Sequence, residues 1–84
     1  MDATYELWDV DAGNIVGAFA SEDEGLDVAA ALLATYGRDY ANHLNLSHRD
    51  GAGGARVVAI GSRLIEMTER RAQERKERAG SPLP

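Results

Sequence analysis

Along residues 22–36 the apolar positions keep a helical period. Leu26, Ala29, Ala30, Leu33 and Tyr36 fall on one stripe, which Val28 and Leu32 widen. Ser21 followed three residues later by Glu24 is a capping box. Glu22, Asp23 and Glu24 place carboxylates in the first turn, where the helix dipole favours negative charge. Gly37 can take the left-handed conformation that ends such a helix. The pattern predicts a helix over 22–36 with an apolar face wide enough to require burial.

On either side the period changes to that of strands. Residues 4–10 are strand formers, with Tyr5 and Leu7 on one face and Trp8 and Val10 on the other. Asp11 to Asn14 is a turn, and Ile15 to Ala20 returns, which makes a β-hairpin. After a connection over 38–42, His43 to His48 alternates, with Leu44 and Leu46 on the apolar side. Asp50-Gly51-Ala52-Gly53-Gly54 reads as a flexible turn before another strand, Ala55 to Ile60.

Ser62 is a candidate N-cap for a second helix, whose first turns can bury Leu64, Ile65, Met67 and Thr68. Farther on, only Ala72 and Ala79 are left to pack. Glu66 with Arg70 and Glu74 with Arg78 could pair along the helix, which is otherwise expected to be solvated or frayed. The Ser-Pro-Leu-Pro end is expected to be disordered. The expected fold is α+β, ordered ββαββα. It has a four-stranded, mainly antiparallel sheet, one helix across a face, and a charged C-terminal helix. Residues 1–68 would form a single domain and 69–84 a charged helical extension.

Strict alternation puts Ile15 and Phe19 on one side of the second strand and Val16 and Ala18 on the other. In the fourth, Val58 and Ile60 oppose Val57 and Ala59. Strands apolar on both sides suggest a sheet covered on both faces, and the central helix covers only one. The second face must meet the C-terminal helix, another copy of the chain or a different protein. Trp8, Val10, Val16, Val57, Leu64 and Met67 are the candidate interface.

Composition narrows the classes. With 84 residues the core is limited, and with no cysteine neither a disulfide nor a thiolate metal site can reinforce it. Stability must come from packing and from self-association, with a homodimer expected. Residues 1–60 carry three basic groups against ten acidic ones, whereas 61–84 carry six basic against four acidic. An acidic body argues against nucleic-acid binding by the domain itself. Arg70, Arg71, Arg75, Lys76 and Arg78 are candidate nucleic-acid contacts on the tail, although glutamates interleave with them and no aromatic residue lies nearby to stack on a base. No apolar run is long enough to span a membrane, and the first residues are unlike a secretory signal, so a cytoplasmic location is expected.

Catalytic chemistry is hard to assemble from these residues. His43 and His48, at i and i+5 on a predicted strand, would point to opposite faces. Asp9 and Asp11 beside Gly13 resemble part of a calcium loop, yet the further oxygen ligands and terminal glutamate are missing. Their better use is turn chemistry. The glycines at 51, 53 and 54 precede no Lys-Ser/Thr, as a phosphate loop would require. Ser21 and Ser62 serve as caps. The expectation is a non-enzymatic protein with no cofactor and no metal. A pocket gathering Tyr5, Asp9 and His48 would change that reading.

Trp8-Asp9, Gly13, Val16-Gly17-Ala18-Phe19 and Ser21-Glu22-Asp23-Glu24, followed by an alanine-rich helix, resemble the N-terminal core of HicB-type antitoxins over residues 4–37. In that family a hairpin leads through such a start into a helix lying on a small sheet. Gly25 stands where the family has alanine, and the family's proline-rich stretch and C-terminal DNA-binding domain have no counterpart here. The resemblance implies a non-catalytic domain that binds another protein. The expected function is therefore a small, self-associating, antitoxin-like interaction module. The alternative is a nucleic-acid-associated oligomer that uses its basic C-terminal helix.

Overall fold

The computed structural model describes residues 4–79, so the Ser-Pro-Leu-Pro end lies outside the described residues. The order is β1 (Thr4–Asp9), β2 (Asn14–Phe19), α1 (Glu22–Tyr36), a 3-10 helix (Arg38–His43), β3 (Leu44–Arg49), β4 (Ala55–Ile60) and α2 (Gly61–Ala79). The strands form one antiparallel sheet in the order β2-β1-β3-β4. The fold is the expected α+β arrangement. β1 and β3 are the inner strands, and α1 carries the chain from one edge to the centre.

The start of α1 follows from its sequence. Ser21 is extended, and its Oγ accepts the Glu24 backbone N–H at 3.2 Å. At the other end Gly37 sits at φ +99° and its N–H donates to the Leu33 carbonyl. The connection expected over 38–42 is a 3-10 helix that includes His43, so β3 begins one residue later than the alternation suggests. The loop at 50–54 is also more specific than a flexible turn. Asp50 Oδ1 accepts the N–H groups of Ala52 and Gly54, each at 2.9 Å.

One cluster makes the core. Leu7, Leu44, Leu46 and Ala59 come from the sheet, Leu26 and Ala29 from α1, and Leu64 from α2. Both helices therefore lie on the same face, side by side. The C-terminal helix does not cover the second face. Its placement turns on Gly61, at φ +54°, where β4 passes directly into α2. Ser62 consequently lies inside the helix and not at its N-cap.

Two register shifts correct the expected facing of the edge strands. Leu7 pairs with Gly17 but Trp8 pairs with Ile15, so Val16 is the extra residue of a β-bulge. Ile15 then falls on the face opposite Phe19, not beside it. Likewise Leu46 pairs with Ala59 and Ser47 with Val57, which makes Val58 the extra residue in β4. Ala59 turns into the core while Val57 and Ile60 share the other face. The double apolar character of these strands comes from a shift in facing midway. Bulges at both edges also blunt them against pairing with other chains.

Candidate interaction surface

The face away from the helices can be built row by row from the strand register. Ile15, Trp8, Asn45 and Ile60 lie side by side across the four strands. Ala18, Glu6, Ser47 and Val57 form the next row, and Thr4, Arg49 and Ala55 the third. Nothing in the chain's described residues packs over them. Ile15, Val57 and Ile60 are 46%, 55% and 54% exposed, unusual for three large apolar residues on one small sheet.

The centre of this face is polar and internally paired. Arg49 Nε donates to Glu6 Oε2 at 3.1 Å, and Trp8 Nε1 donates to Glu6 Oε1 at 3.2 Å. The Arg49 guanidinium, helped by the indole N–H, holds the Glu6 carboxyl below its ordinary pKa, and burial opposes this. Among the described residues, this face carries one anion and one cation, joined to each other.

Of the six candidate interface residues, Trp8 is half-buried on this face and Val57 exposed there. Val10, just past β1, and Val16, in the bulge, are exposed. Leu64 is a correction: it is fully buried in the molecule's own core and has no surface to offer. Met67 is half-buried, packed against the same core cluster on the helix side. Sequence reasoning missed Ile15 and Ile60 because the bulges reverse their facing. It missed Glu6 and Arg49 because their pairing joins residues 43 positions apart.

The basic helix is partly occupied. Arg71 donates through Nε and Nη2 to both Asp27 carboxylate oxygens, at 2.8 and 3.2 Å, and meets Asp23 at 3.2 Å. Arg75 also reaches Asp27 at 3.2 Å, and Arg38 pairs with Glu69. These contacts run across to α1 and its following turn. Among the described residues, neither Glu66–Arg70 nor Glu74–Arg78 is formed; the pair within α2 is Arg63–Glu66. Arg70, Lys76 and Arg78 are exposed.

Tyr5, Asp9 and His48 are not gathered. Tyr5 and His48 stand together at one end of the sheet, their rings 4.8 Å apart. Asp9 works at the other end: its Oδ1 accepts the Asp11 and Ala12 N–H groups, and its Oδ2 accepts the Tyr40 hydroxyl at 3.0 Å. These bonds, the Ala12 N–H foremost, keep the Asp9 carboxyl low, and the same Asp9 contact raises the Tyr40 phenol. His43 stacks on Tyr40 and meets the Asp11 carboxylate through Nδ1. His43 and His48 sit at opposite ends of β3, one before it and one near its close. The described residues contain no group of three or more side chains placed to hold a metal ion, and none of their helices is long and apolar enough to cross a membrane. No family model, curated protein or solved structure matches this chain.

Proposed function

We propose that this protein is a non-enzymatic interaction module that binds protein through its bare sheet face and associates with itself. One observation carries the reading. Both helices pack on one side of the sheet, and on the other no described residue covers Ile15, Val57 and Ile60, which lie around the half-buried Trp8. Solvent contact with that much apolar surface is unfavourable by about 25 cal/mol for each Å2 that a partner could remove. Antitoxin-like neutralisation of another protein is one form such a module takes, in keeping with the resemblance of residues 4–37.

The test is solution mass by light scattering or sedimentation. The full chain is expected as a dimer, and Val57→Asp with Ile60→Asp as a monomer that melts no earlier than a dilute wild-type sample. A wild-type monomer at every accessible concentration would reject self-association. Nucleic-acid association through α2 has less support, since Arg71 and Arg75 already face the carboxylates of α1.

A further inference from the structure

We infer that the occupant of the bare face is a second copy of this chain, laid sheet on sheet about a two-fold axis that runs along the strands between β1 and β3. The inference rests on the self-association proposed above and specifies its geometry.

Such an axis exchanges β1 with β3 and β2 with β4. The strand order β2-β1-β3-β4 and the pairing register then decide which side chains meet. Ile15 of one copy comes to Ile60 of the other, and Ala18 comes to Val57, so apolar edges meet apolar edges on both sides. The polar middle meets itself, with Glu6 opposite Ser47 and one position from Arg49. Within one chain Arg49 already reaches Glu6 by this diagonal, since Ser47 is Glu6's direct neighbour and Arg49 lies two residues on. Each guanidinium can therefore serve the carboxylate of its own chain or that of the facing copy.

The charges on the face itself suit this occupant, while the like net charge of two copies opposes it only at long range. The body of the chain is strongly acidic, with ten acidic groups against three basic over residues 1–60. A basic partner would be drawn to the carboxylates that open α1, which lie on the other side of the sheet. Among the described residues the bare face is self-neutralised, and what fits it is another surface with one anion and one cation in the same arrangement. The area is of the right order once side chains are counted. Four strands about 4.8 Å apart, each of six residues rising about 3.3 Å, give a footprint of roughly 350 Å2 per copy before side-chain relief is counted. Two such faces total roughly 700 Å2 as flat projections, so the relief of the side chains standing on them has to supply the rest of the total of about 1,000 Å2 that a specific interface must clear. Aligned packing of twisted sheets is a standard arrangement.

Charge reversal tests the geometry. Glu6→Arg gives a face with two cations and Arg49→Glu a face with two anions. Each variant alone is expected to be monomeric, and an equimolar mixture is expected to restore a one-to-one heterodimer of wild-type mass. The double variant, Glu6→Arg with Arg49→Glu, restores the pair within the chain; it is expected to dimerise with itself and to exchange poorly with wild type. This variant decides the matter if a single one fails to fold. Single variants that remain dimeric, a mixture that stays monomeric, or free exchange of the double variant with wild type would each overturn the sheet-on-sheet geometry while leaving self-association in place. A monomeric wild type would overturn both.

Discussion

At Gly25, a Cβ would stand 3.0 Å from Leu46 Cδ1 and 3.4 Å from Phe19 Cδ2. The residue is buried in the first turns of α1, where glycine is disfavoured by about 1 kcal/mol relative to alanine. Close approach of the helix to β2 and β3 offsets that cost. Alanine at this site gains helix propensity while pressing on Leu46, and the two effects are of similar size. A larger side chain has no such balance. Gly25→Leu is expected to lower unfolding stability by about 2 kcal/mol through overpacking, read as a shift in urea midpoint at unchanged slope. Gly25→Ala should stay close to wild type. If Gly25→Leu were equally stable, the seating of α1 on Leu46 would be wrong.

Elements differ in how much of them the sequence discloses. α1 and β4 have the expected bounds because a cap, a glycine stop and a run of strand formers are local signals. The bulges at Val16 and Val58 follow from cross-strand registers that alternation along one strand does not contain, so alternation alone gives Ile15, Val57 and Ile60 the wrong neighbours. The side of the sheet that α2 takes depends on the torsion of Gly61, and no periodicity reports it. What holds the outer half of α2 is likewise non-local. Asp27, inside the polar face of α1, receives Arg71 and Arg75 from 44 and 48 residues away. The Arg71 hydrogen bonds hold the Asp27 carboxyl below its ordinary value, against the opposing effect of burial. The folded chain therefore takes up that proton less readily than the unfolded chain. Its contribution to stability is complete above the ordinary aspartate pKa of about 4 and is lost as pH falls through the lowered folded value. Asp27→Asn is expected to reduce stability at pH 7 and to flatten the acid limb, the difference from wild type shrinking as pH falls below about 4. Thermal melts across that range, with amide exchange over residues 69–78, would show it. An acid limb unchanged by the substitution would mean the ion pairs do not tether α2.

For the molecule as a whole, the formal net charge of −5 makes salt dependence a discriminating observable. Two such chains with centres about 25 Å apart repel by roughly 4 kcal/mol in unscreened water. At 50 mM salt the Debye length of about 14 Å reduces this to about 0.7 kcal/mol, and by 500 mM almost nothing remains. An apolar sheet-on-sheet dimer is therefore expected to tighten by roughly threefold between those salt concentrations, because the long-range repulsion is screened while the apolar contacts are not. Glu6 and Arg49 are already paired within each chain, so they oppose this only weakly. A complex between the basic helix and nucleic acid behaves in the opposite sense. Each phosphate contact releases counterions, so affinity falls steeply as salt rises. Sedimentation of the chain alone and of the chain with a short duplex, at both salt concentrations, separates the two behaviours by sign. A self-association that weakened markedly with salt would place ionic contacts, not the Trp8, Ile15 and Ile60 row, at the centre of the interface.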